Sequence, residues 1–149
     1  MRLIHILAAV CCLSLAFAAA ARADLKTALA ERDLGKRSKL ALDNAADGLK
    51  AAREALQHGD NEKVTAAAAE IRESVDLAYD SLKSTGKDPR KSPKWFKHAE
   101  ISTRELLKKL NTLQDDMNFA DRPVLAELKK RVQQVHDELL VGLMEGKQK

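Results

Sequence analysis

Four stretches of the chain place apolar residues at alternating steps of three and four, the spacing that lays them along one side of an α-helix. In the first, Leu42, Ala45, Leu49, Ala52 and Leu56 recur, while Asp43, Asp47, Lys50 and Glu54 fall between them. The second carries Val64, Ala67, Ala68, Ile71, Val75, Ala78 and Leu82. The third carries Ala99, Thr103, Leu106, Leu110, Leu113 and Met117, widened by Leu107, and the fourth Leu125, Leu128, Val132, Val135 and Leu139. These stripes predict helices over residues 39–58, 61–84, 93–117 and 122–145. At a rise of about 1.5 Å per residue they are roughly 30–38 Å long.

The breaks between the stripes carry stop and start signals. Gly59 suits a left-handed helix end, and Asp60 can accept from the first free amides of the next helix. Asp121 and Pro123 do the same work before the fourth helix. Between the second and third lies a longer connector, Gly86 to His98, with two of the three prolines and the only tryptophan. Matched helices, two tight turns and one longer link predict an all-α, up-down-up-down antiparallel four-helix bundle over residues 39–149. The segment His58 to Lys63 resembles the turn of a tetratricopeptide repeat. The helices are too long for that fold, and no period of about 34 residues recurs.

The first residues change the picture of where the protein works. Arg2, an apolar run from Leu3 to Ala20, and small residues at Ala21 and Ala23 read as a signal peptide, residues 1–23, cleaved before Asp24. An uncleaved anchor would need about 20 strongly apolar residues and a stop-transfer flank. The expected location is therefore periplasmic or secreted, with no transmembrane span in the mature chain. Cys11 and Cys12 both fall in the leader, so the mature chain has no disulfide, thiol nucleophile or c-type haem attachment. Lipidation of Cys11 would put Val10 where a small residue is required. Losing Arg2 and Arg22 takes the net charge from +4 to +2, too little to argue for nucleic acid. Residues 24–38 form a charged lead-in interrupted by Gly35, expected to fray.

Candidate chemistry is sparse. His58, His98 and His136 are set at different heights of the predicted bundle, and the residue three before His136 is Gln133, so the Glu-x-x-His motif of di-iron bundles is missing. His98 and Met144 are the one pair at similar height that could hold a haem. Asp43, Asp47, Glu73, Asp76 and Asp80 gather at one level of the first hairpin, where hard cations would find oxygen ligands. All five lie off the apolar stripes, beside Lys39, Arg72 and Lys83, and read as a solvated face. Glu100 with Arg104, and Glu105 with Lys109, are i,i+4 pairs that suit an exposed helix face. No nucleophile with a base and an orienting partner is visible, and no glycine-rich phosphate loop follows a strand. An enzyme, a resident metal and a cofactor are not expected.

The unusual feature is the charge at the connector. Alternating helix directions would bring Lys36, Arg37, Lys39, Lys83, Lys87, Arg90, Lys91, Lys94, Lys97, Lys147 and Lys149 to one end, and Asp60, Glu62, Asp115, Asp116 and Asp121 to the other. Helix dipoles account for Lys83, Lys147, Asp60 and Asp121 but not for Arg90, Lys91, Lys94 and Lys97, which precede or open a helix. Lys87, Arg90, Lys91, Lys94, Trp95 and Lys97 are thus the candidate site for an anionic partner: a lipid head group, an acidic cell-wall polymer or an acidic protein. Trp95 with Phe96 either plugs the end of the bundle or supplies an apolar contact. The alternative is a small-ligand, metal or haem-binding periplasmic bundle. The segments Ser81-Leu82-Lys83, Gly86 to Lys94 and Ala99 to Leu110, with Val135 to Leu139 and Met144-Glu-Gly146, resemble uncharacterised small secreted bacterial helical-bundle proteins. That resemblance carries no functional residue over. The Leu-Thr-x-x-Gln motif of Spy-type periplasmic chaperones is not matched by Leu110-Asn111-Thr112-Leu113-Gln114, where the Thr is displaced.

Overall fold

The computed structural model describes residues 25–145, and all regular structure among them is helical. A short helix α1 covers residues 25–30. It is followed by α2 (Leu34–Gln57), α3 (Asn61–Ser84), α4 (Pro93–Asp115) and α5 (Pro123–Glu145). The expected signal peptide and the lysines at 147 and 149 lie outside the described residues.

The helix ends follow local chemistry. Asp33 precedes α2 with extended backbone, and its carboxylate accepts from the Lys36 amide at 2.8 Å. Asp60 does the same for α3, accepting from the Lys63 amide at 3.1 Å. The links after α2 and α3 each turn on a glycine with positive φ, 69° at Gly59 and 66° at Gly86, where a side chain would be strained.

One boundary differs from the pattern's prediction in a way that matters. α2 begins at Leu34, not at residue 39, so the second half of the supposed lead-in belongs to the packed structure. The Asp33 cap starts the helix early. Gly35 and Ser38 continue the buried stripe of Ala41, Leu42, Ala45 and Leu49. Ala28 in α1 is fully buried as well.

The most extensive packing joins α2 to α3, followed by α4 to α5. α2 also packs on α4, and α3 on α5, whereas α3 and α4 touch little despite being consecutive. Small residues let α2 and α3 approach closely: Ala41, Ala45, Ala52, Ala68 and Ala78 are buried, and a β-carbon on Gly48 would lie 2.9 Å from Ile71 Cγ1. Of the run Ala66 to Ala69, Ala68 is buried and Ala67 packs half-buried against the core, while the exposed Ala66 and Ala69 serve helix propensity. Between these two helices Asn44 Nδ2 donates to Ser74 Oγ at 2.9 Å and to Glu70 Oε1 at 3.2 Å, so the buried amide is satisfied. α3 is tied to α5 by Arg131, whose Nε donates to Asp76 at 2.5 Å, and by the Tyr79 hydroxyl donating to Glu138. Burial, and then that hydrogen bond, push the Tyr79 hydroxyl well above its ordinary range, while the same bond lowers Glu138.

The expected core positions Leu49, Ile71, Val75, Leu106, Leu110, Leu128, Val132 and Val135 are all buried. Leu110 is among the largest side chains with no exposure. Leu110→Ala should therefore cost about 2–5 kcal/mol in chemical denaturation. A loss near zero would show that the inner face of α4 is not packed.

Candidate functional site

The connector is built largely from its own hydrogen bonds. The Thr85 hydroxyl donates to the Leu82 carbonyl at 2.7 Å and accepts from the Lys87 amide at 3.2 Å. The Asp88 carboxylate accepts from the Arg90 amide at 2.8 Å, and the Asp88 carbonyl accepts from the Lys91 and Ser92 amides at 3.1 and 2.9 Å. Pro93 then opens α4. Ser92 stands at the cap position but makes no side-chain hydrogen bond there, and the first turn of α4 holds no acidic residue.

Trp95 and Phe96 anchor this link to the rest of the protein. Phe96 is buried, and Trp95 is half-buried. A β-carbon on Gly35 would overlap the indole, so the start of α4 lies directly on the start of α2. His98 meets the Trp95 ring edge-on at 6.4 Å, and the Lys94 ammonium sits 4.6 Å from its centre. An open groove of about 320 Å³ runs beside the ring, lined by Leu82, Thr85, Lys87, Ser92, Lys94 and Phe96 among others. Trp95 is thus packed against the start of α2 on one side and forms part of the groove wall on the other. On the far side, Pro89 lies against the last turns of α5, where a β-carbon on Gly142 would stand 3.3 Å from Pro89 Cγ.

The starts of α2 and α4, the connector and the end of α5 therefore meet. Lys87, Arg90, Lys91, Lys94 and Lys97 are all exposed there, as are Lys36 and Lys83. Among the described residues, none of these seven forms an ion pair. Partial compensation comes from Glu138, which the Tyr79 bond lowers with help from the charge of Lys83, and from Asp33. The Lys36 amide, with help from the charges of Lys36 and Lys87, holds its carboxyl below the ordinary aspartate value of 3.8. Of the remaining expected cations, Lys39 pairs with Asp43 at 2.5 Å, and Arg37 donates to the Glu31 carbonyl at 2.8 Å. The acidic set behaves differently. Asp60 pairs with Lys63 at 2.7 Å, and Asp116 lies 3.7 Å from Arg53.

Other candidates fall into place individually. His58 is exposed at the end of α2. Met144 is 70% exposed, while His98 is half-buried beside Trp95. In the acidic group, Asp43 pairs with Lys39, Asp47 with Lys50 and Asp76 with Arg131. Among the described residues no three His, Cys, Asp or Glu side chains converge as metal ligands would.

One cluster was missed by the pattern. Glu100, expected on an exposed face, is buried in the seam between α4 and α5. Its carboxylate lies 3.9 Å from His136 Nδ1, which is 3.3 Å from the Thr103 hydroxyl. Arg104 reaches Glu100 only at 3.7 Å from the rim. Glu100 lies three residues before Thr103, which places it at the edge of the apolar stripe rather than opposite it. That spacing was the available signal. No protein-family model matches the chain, and comparisons with curated proteins and with solved structures give no match either.

The cap on α2 and the seat of Trp95 are coupled through Gly35, two residues from Asp33. Since the Asp33 carboxyl is lowered in the folded state, its stabilising bond is complete above 3.8 and is lost as pH falls through the lower folded value. Asp33→Ala should shift Trp95 fluorescence to the red at neutral pH, whereas the wild type should shift only in acid below 3.8. Identical emission from both proteins at neutral pH would uncouple the cap from the indole.

Proposed function

We propose that this is a non-enzymatic extracytoplasmic interaction or scaffold protein that docks an anionic partner through its basic connector end. The observation that carries this reading is the exposed group Lys87, Arg90, Lys91, Lys94 and Lys97, none of which forms an ion pair among the described residues, on a link whose backbone is tied by its own hydrogen bonds. Four of these cations precede or open α4, where the helix dipole repels them, and no acid in its first turn offsets them. An anion placed there would meet the free amides of the helix start as well as the lysines.

The bundle itself supports the reading. We take the four long helices as an up-down-up-down antiparallel bundle. In it the meeting of Gly35 with Trp95 and of Arg53 with Asp116 lays α2 and α4 in one direction. Asp76 with Arg131 and Tyr79 with Glu138 do the same for α3 and α5. The two hairpins then stack face to face, and the connector crosses between diagonal helices, which accounts for its length and for the sparse packing of α3 on α4. A scaffold of this kind gives its cations a fixed spacing at one end.

The test has two parts. N-terminal sequencing of the protein from the extracytoplasmic fraction of its source should begin at Asp24; recovery of Met1 would contradict export with cleavage. The same protein should be retained on a polyanionic matrix at low ionic strength and released by salt, since exposed charges are screened within about 10 Å at 0.1 M. Replacing Arg90, Lys91, Lys94 and Lys97 together by Gln should abolish retention with no change in the helical circular dichroism. If the wild type is not retained even at low salt, the docking reading fails.

A further inference from the structure

Seven large apolar side chains are exposed among the described residues; four belong to segments at the basic end, and the other three, Ile101, Phe119 and Val124, lie elsewhere. Leu140, Val141 and Met144 occupy the last turns of α5, beside Gly142, which lies on Pro89 of the connector. Leu29 is in α1, which the bond from Arg37 Nε to the Glu31 carbonyl folds onto the start of α2. Met144 is 70% exposed and Leu29 54%. A soluble acidic polymer or protein recognised by charge alone would need the lysines but not these side chains.

We infer that the anionic partner is the head-group surface of a lipid bilayer, met by the connector cations while Leu29 and Met144 enter the boundary between head groups and acyl chains. This rests on the docking reading above and names its partner. Peripheral binding of this kind combines attraction of lysines to anionic lipid with the burial of a few apolar side chains, and both are present on one end of the protein. The long stems of Lys87, Lys94 and Lys97 can lie along the interface with their ammonium groups in water. No described helix is long and apolar enough to cross a membrane, so the contact is made from one side. The half-buried Trp95 ring packs on Gly35 and carries the Lys94 ammonium 4.6 Å from its centre, so it is given no inserting role.

The experiment is flotation with vesicles of phosphatidylcholine, with and without phosphatidylglycerol, alongside binding to soluble polyglutamate. It uses the protein as recovered after export, its N-terminus established by mass spectrometry. The wild type should float with the anionic vesicles at low ionic strength, stay behind with phosphatidylcholine alone, and release as salt is raised. The Gln replacement of Arg90, Lys91, Lys94 and Lys97 should weaken vesicle binding by about a thousandfold. Leu29→Ser with Met144→Ser should weaken it by about tenfold or more, and leave polyglutamate binding unchanged. Polyglutamate binding without flotation would overturn the lipid inference and leave the docking reading standing; failure of both would remove both. Vesicle binding untouched by the two serines, or equal on phosphatidylcholine alone, would also overturn it.

Discussion

The indole of Trp95 occupies the space that a β-carbon on residue 35 would need. That contact decides more than a local packing detail. It requires α2 to begin before Gly35, which the Asp33 cap provides, and it brings the start of α4 against the start of α2. Phe96, the next residue, is buried by the same placement. The connector has little freedom left once its first residues are held by Leu82 and its last by Trp95. An apolar contact between two helix starts therefore positions the charged groups that surround it.

Those charges are distributed unevenly in a way the net charge hides. Acids that cap or follow helices at Asp60 and Asp116 have basic partners, as does Asp43. The cations around the connector have none among the described residues, and several sit where a helix dipole is unfavourable to them. Surface ion pairs contribute little to stability, so their absence costs the fold little. Mutual repulsion among unpaired lysines is a small, persistent cost that a bound anion would relieve. The buried Glu100, Thr103 and His136 group is the opposite case: polar side chains kept close together inside a seam, with the Thr103 hydroxyl 3.3 Å from His136 Nδ1 and bonded to carbonyls of its own helix.

Much of this was legible in the residues because helix periodicity is a strong signal. The four stripes located the four long helices, and the eight core residues expected from them are buried. The early start of α2 was not read, because Gly35 looks like a helix breaker when its neighbour is unknown. Its role depends on Trp95, 60 residues later in sequence numbering, and no local pattern contains that information. Glu100 was misplaced for a related reason. An i,i+4 partner at Arg104 suggests exposure, but the group that the carboxylate meets inside the seam, His136, comes from α5. The connector cations were read from their run of basic residues, and their gathering with the end of α5 followed from helix directions. The half-burial of Trp95, and the contact of Gly142 with Pro89, needed tertiary packing.

The central claim is that lysines from separate stretches of sequence form one end of the protein, held there by the contact of Trp95 with Gly35. Cross-linking of the free protein with a short amine-reactive reagent, followed by mass spectrometry, tests this directly. The account predicts links from Lys36 to Lys87 and Lys94. Links from Lys36 to Lys129 or Lys130, at the start of α5, in place of these would contradict it.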